Sequence, residues 1–135
     1  MSDKLSVPSA SQQVTLLVAD DADVIRTTLR NFLKGEPAIK LLGEASSFAE
    51  AISMTAALKP DVILIDLHMP DDRSFNSEFV KTNLSRARVL AMSLLSDYES
   101  EEETRVLAEN YGAVRMLDKA KLCDELIPAI LQTEN

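Results

Sequence analysis

Residues 59–70 read KPDVILIDLHMP, and within them Val62 to Ile65 are apolar at four successive positions before the run ends on Asp66. Bounded by Pro60 and Pro70, so short an apolar run is a strand rather than a helix. Its lack of in/out alternation marks a strand covered on both faces, which is the property of a parallel sheet.

Outward from this run the same unit recurs. Val14 to Ala19, Ile39 to Ala45, Val89 to Met92 and Ala113 to Leu117 are the other β-rich runs, and each is followed by apolar residues at helical spacing. Ala22 to Lys34 puts Ile25, Leu29, Phe32 and Leu33 on one face, with Asp21 at the N-cap and Gly35 beyond the end. Phe48 to Leu58, with Phe48, Ile52 and Ala56 or Leu58 inward, is stopped by Pro60. Phe75 to Leu84 is a weaker helix with Phe79 and Val80 inward. Asp97 to Asn110 is an acidic helix closing at Gly112, and Leu122 to Leu131 buries Leu122, Leu126, Ile127, Ile130 and Leu131. Five strands alternating with five helices predict a doubly wound α/β domain with a parallel five-stranded sheet. Units of this length suit the flavodoxin-like (βα)5 order 2-1-3-4-5, whose ligand crevice lies at the carboxyl ends of strands one and three. The expected domain is 14–133, preceded by a flexible Ser- and Gln-rich tail over 1–13.

Composition narrows the function. The 135 residues hold 46% apolar and 27% charged residues, which is the balance of one globular domain. Twenty-two acids against 14 bases give a net charge of −8, unfavourable for direct contact with nucleic acid or an anionic membrane. Cys123 is the lone cysteine, so no disulfide or zinc spacing exists, and a reducing, cytoplasmic setting is expected. No glycine-rich loop follows the first strand, which removes the nucleotide and flavin signatures.

Taken singly, the strand-end polar residues have ordinary readings. Asp20 and Asp21 suit a helix cap, Asp66 the start of an Asx turn, Ser93 a satisfied hydroxyl and Lys119 a solvated loop charge. Together they fall at the carboxyl ends of strands one, three, four and five, which are contiguous in the order 2-1-3-4-5. Three converging carboxylates repel one another and call for a hard divalent cation with oxygen ligands, for which Mg²⁺ is the natural choice. A metal, a hydroxyl and an ammonium around one carboxylate suit phosphoryl transfer, with Asp66 as acceptor.

The segments LLVADDADVIRTTL, KPDVILIDLHMP, RVLAMS and GAVRMLDKA resemble the receiver domain of bacterial two-component response regulators. The resemblance implies that a histidine kinase or phosphotransfer protein phosphorylates Asp66. It also implies that Asp21 and Asp66 bind Mg²⁺ with the His68 backbone carbonyl, that Asp20 assists through water, and that Ser93 and Lys119 hold phosphoryl oxygens. Output then passes through the face of the fourth helix, fifth strand and fifth helix to a downstream protein or output domain, with homodimerisation compatible. IKLLGEASSFAEAI is similar to receivers that precede a helix-turn-helix output domain. Only 132–135 follow Leu131, so a stand-alone receiver and a fragment of a longer regulator are both expected outcomes.

The chain departs from the family pattern at four places. Met116 stands where an aromatic switch residue is usual, and Leu94 where a small gating residue is usual. DDRS after Pro70 lacks a glycine, and the segment from Ser93 to Gly112 is longer than usual through LLSDYESEEE. Leu94 and Met116 motivate an alternative, a degenerate receiver that binds its partner without phosphorylation. A Mg²⁺-dependent phosphohydrolase fits less well, because such enzymes carry their nucleophile on the first strand. On the receiver reading the only chemistry is autocatalytic phosphotransfer and self-hydrolysis, not a metabolic enzyme activity.

Overall fold

A computed structural model describes residues 13–94 and 101–132. Five strands, β1 (Val14–Ala19), β2 (Ile39–Ala45), β3 (Val62–Asp66), β4 (Arg88–Ser93) and β5 (Ala113–Asp118), form one sheet of order β2-β1-β3-β4-β5, all neighbours parallel. The helices are α1 (Asp23–Leu33), α2 (Phe48–Leu58), α3 (Ser77–Leu84), α4 (Glu101–Asn110) and α5 (Leu122–Leu131), the last preceded by a 3₁₀ turn over Lys119–Lys121. The expected doubly wound fold and strand order are therefore observed.

Successive strand residues point to opposite faces, and here both faces are apolar. Leu16, Val18, Val62, Leu64, Leu90 and Met92 meet Leu29 and Leu33 of α1 and Leu126, Ala129 and Ile130 of α5. Leu17, Ala19, Ile63, Ile65 and Ala91 meet α2, α3 and α4 through Phe48, Ala51, Val80, Leu84, Ala108 and Tyr111. Tyr111, at the end of α4, stacks on Phe48 with ring centroids 5.1 Å apart. Gly112 follows at φ 84°, and a Cβ there would sit 2.9 Å from Lys81 Cγ, so both conformation and space favour glycine.

Several expected details are corrected. The buried face of α2 is Phe48, Ala51 and Thr55, with Ile52 half-buried and Ala56 and Leu58 outward. Thr55 tolerates burial because its hydroxyl donates to the Ala51 carbonyl at 2.7 Å. α3 starts at Ser77, because the Asn76 side chain accepts the Phe79 N–H at 2.8 Å, and Phe79 points outward at 48% exposure, stacked on Phe75. β4 and β5 each extend one residue further toward the crevice, to Ser93 and Asp118, and β4 also starts one residue earlier. In α5, Ala129 is buried while Ile127 and Leu131 are half-buried. Residues 1–12, most of the expected tail, and 95–100, where α4 was expected to begin, lie outside the described residues.

Candidate functional site

The backbone of β1 continues one step past its end, where the Asp20 N–H donates to the Ala45 carbonyl at 2.9 Å. Asp20 is fully buried, and its Oδ1 accepts the Ala22 N–H at 2.8 Å, an Asx turn that reverses the chain into α1. This corrects the expected cap. Ala22, not Asp21, is the N-cap of α1, and it makes no side-chain capping bond. Asp21 is exposed, and ligand oxygens of Asp20, Asp21 and Asp66 all lie within 4.8 Å of one another.

Asp66 ends β3 in register with Met92 of β4, and is only 3% exposed. Its Oδ1 accepts the His68 N–H at 3.2 Å and lies 3.4 Å from Lys119 Nζ. The same ammonium is 2.9 Å from Asp20 Oδ2. Burial pushes the Asp66 carboxyl up to about 6 from 3.8, against the pull of Lys119, with the Asp20 charge adding to the rise. For Lys119, burial alone would lower the pKa, but its contacts with Asp20 and Asp66 outweigh it and the net direction is upward.

Ser93 closes β4, buried and opposite Asp118 of β5, with its hydroxyl donating weakly to the Leu94 carbonyl at 3.4 Å. Among the described residues the Ser93 hydroxyl makes no hydrogen bond to Asp66. Leu94 is 62% exposed at the mouth of the crevice. Met116 is half-buried on β5 and packs against the core under α4. His68 is exposed beside the acceptor, and its backbone N–H is built into the site through its bond to Asp66.

Three structural features around the site escaped the sequence reading. The Asp71 carboxylate reaches from the loop after β3 to the first turn of α2, accepting the N–H groups of Phe48 at 2.9 Å and Ala49 at 3.0 Å. The glycine-poor DDRS loop is thus tied down by an acid that caps a neighbouring helix. Asp71→Ala is expected to cost about 1–2 kcal/mol in urea denaturation, with Asp71→Asn recovering part of it. Arg26 and Glu44 are the other two, packed beneath the Asp20–Asp21 turn. A lone acid in the apolar β2 run was the available signal for Glu44.

The cluster has the donor chemistry of a hard-cation site. All its ligands are carboxylate or carbonyl oxygens, and Asp20 Oδ2 is buried with no hydrogen bond, held only by its ion pair with Lys119. Lys119 supplies one positive charge to two buried carboxylates, and Asp21 leaves the side toward solvent negative.

Comparison with known proteins agrees with this geometry. The family model of the response regulator receiver domain matches residues 16–131. Protein-glutamate methylesterase/protein-glutamine glutaminase 3 of Leptospira interrogans is 32% identical over 109 residues, 81% of this chain and 31% of that protein. The DNA-binding transcriptional activator DevR/DosR of Mycobacterium tuberculosis is 35% identical over 89 residues, 66% of this chain and 40% of that protein. The chain thus spans about a third of the length of the curated relatives it matches. Among solved structures, the response regulator domain of Thermotoga maritima CheB superposes with TM-score 0.73 at 26% identity, covering 89% of this chain and 95% of that one. The signal receiver domain of NarL from Mycobacterium tuberculosis gives 0.76 at 27%, covering 90% and 95%. With its sheet order, its strand-end acids and its family match in agreement, the chain belongs to the response regulator receiver domain family.

Proposed function

We propose that this receiver accepts a phosphoryl group on Asp66 from a histidine kinase or phosphotransfer protein, in a Mg²⁺-dependent reaction, and passes the signal on by protein contact. One observation carries the reading: the half-buried Lys119 ammonium, shared between Asp20 and Asp66 at 2.9 and 3.4 Å, at the crevice of the fold. Asp20, Asp21 and Asp66, with the His68 carbonyl, would hold Mg²⁺. When bound, the ion would neutralise charge on the transferring group and on the carboxylates around it.

The chain's own residues do the rest. Both polar contacts described for Asp66 fall on Oδ1, so Oδ2 is the oxygen left to attack. Its lone pair forms the O–P bond as the P–N bond of a phosphohistidine breaks, the electron pair staying on the imidazole. Lys119 shifts from Asp66 to an equatorial oxygen of the phosphoryl group, and the Ser93 hydroxyl turns from its weak bond with Leu94 to another. That rearrangement biases the surface of α4, β5 and α5, where Val106 of α4 is exposed and Val114 of β5 is exposed beside Met116. The recipient is a downstream protein or an output domain, the setting is the cytoplasm, and the domain runs over 14–133.

Intact-mass analysis after incubation with Mg²⁺ and acetyl phosphate tests this reading. One phosphoryl adduct, mapped to Asp66 and absent with a chelator, is expected. No adduct on a protein that binds Mg²⁺ would favour the phosphorylation-independent module. Leu94→Ala is expected to quicken uptake from the small donor by a few-fold, equivalent to about 1 kcal/mol of barrier. Because the side chain is exposed, its stability should move by less than about 0.5 kcal/mol. Unchanged labelling rates would show that Leu94 does not gate the crevice.

A further inference from the structure

Asp21 is the exposed member of the acid cluster, and no hydrogen bond to its carboxylate is described. Its aim into the cluster therefore depends on the backbone that carries it. That backbone is gripped at the peptide joining Asp20 to Asp21. The carbonyl of this peptide belongs to Asp20 and accepts Nη1 of Arg26 at 2.5 Å. Because the peptide unit is planar, fixing the carbonyl direction fixes the nitrogen and Cα of Asp21 on its other side.

Arg26 is itself held. Although it lies on a helix whose neighbouring positions 27 and 28 are exposed, its side chain is only 16% exposed. Nη2 pairs with Asp23, and Nε lies 3.6 Å from Glu44 Oε1. Glu44 stands on β2 opposite Val18 of β1 and is braced by two bonds from Arg30, at 2.7 and 3.1 Å. The chain Arg30, Glu44, Arg26, Asp20 carbonyl thus runs from the sheet edge to the acid turn.

We propose that Arg26, buttressed by Glu44, is a positioning residue that sets the orientation of Asp21 and so the divalent-cation affinity of the site. This rests on the proposed function, since it presumes that the acid cluster binds Mg²⁺. Charge alone makes the opposite forecast. Deleting a cation beside a divalent-cation site should tighten binding, whereas losing the grip on the peptide should weaken it. The sign of the change therefore separates the two.

The experiment is a Mg²⁺ titration of the full chain by calorimetry, with thermal melts of each variant to show that it is folded. Arg26→Ala is expected to weaken Mg²⁺ binding by about 10-fold. Its slower phosphorylation by acetyl phosphate is expected to recover as Mg²⁺ is raised. Arg26→Gln, which keeps a donor for the carbonyl, should restore most of the affinity. Glu44→Gln, which removes the brace but not the grip, should lose about threefold and covers the case in which Arg26→Ala does not fold. Arg30→Ala leaves the carbonyl bond in place but loosens the brace on Glu44, so a loss no greater than that of Glu44→Gln is expected, whereas charge alone forecasts tighter binding. Native or tighter Mg²⁺ binding in Arg26→Ala, or, where that variant is unfolded, in both Arg26→Gln and Glu44→Gln, would overturn the proposal. A native chain that binds no Mg²⁺ would instead overturn the functional reading beneath it.

Discussion

Replacing Asp66 by asparagine is expected to abolish phosphoryl uptake and, in metal-free protein at neutral pH, to raise stability. Asparagine keeps the shape but offers no anionic oxygen to form the O–P bond, so the adduct disappears rather than diminishing. The stability effect follows from burial. The Asp66 carboxyl titrates near 6 in the folded chain, raised from 3.8 chiefly by desolvation. A folded pKa above the unfolded one means that the folded state holds the proton more tightly. The contribution of this group is then greatest below about pH 4 and is lost as pH rises through 6, the whole loss being of order 3 kcal/mol. Asparagine does not titrate and escapes that decline. The variant should match the native protein near pH 4 and exceed it at pH 7.5, by several degrees in melting temperature for a domain of this size. Added Mg²⁺ should narrow or reverse the gap, because it binds the native cluster more tightly. Melts with chelator at the two pH values check this, and a variant less stable than the native chain at pH 7.5 would show that ionised Asp66 is not a source of strain.

The features legible in the sequence are those that depend on spacing along one element. Val62 to Ile65 declared a doubly covered strand, and Asp20, Asp66, Ser93 and Lys119 announced themselves by ending strands that the order 2-1-3-4-5 makes neighbours. The features that were missed depend on pairs that meet only after folding. Asp71 caps α2 across 22 and 23 residues of chain, and Glu44 meets Arg26 from the adjoining strand. Nothing local marks such an acid as a cap. Phe79 misled because Phe75, in the loop before α3, stacks on it at the surface, leaving Val80 and Leu84 to fill the core. Asp21 misled for a different reason. An Asp before a helix is a good N-cap, but here the preceding Asp20 takes the turn's N–H and leaves Asp21 turned to the acid cluster.

Lys119→Ala is expected to be the most damaging single change in the molecule. The Lys119 side chain is 14% exposed, and its ammonium is, among the described residues, the countercharge for two buried carboxylates, so its loss leaves Asp20 and Asp66 facing each other uncompensated. Removing one partner of a buried ion pair typically costs about 3–5 kcal/mol. The cost should depend on pH in a defined direction. Lys119 stays charged throughout the range, its pKa being raised by the same two acids, so the pH dependence comes from Asp66. Near pH 5 Asp66 is largely protonated, so losing the ammonium costs less there. As the pH rises through about 6 Asp66 ionises in the native chain, where Lys119 favours its charged form, so the difference between variant and native chain should be larger at pH 8. Mg²⁺ should rescue stability at pH 8 more than at pH 5, since it replaces the missing charge between ionised carboxylates. It should not rescue uptake. The ammonium that stabilises the resting acids is the one that moves to the transferring phosphoryl group, so labelling by acetyl phosphate at saturating Mg²⁺ should still fall by about 100-fold. Urea denaturation at pH 5 and pH 8, with and without Mg²⁺, separates the two roles. Full recovery of labelling along with stability would reduce Lys119 to a structural countercharge.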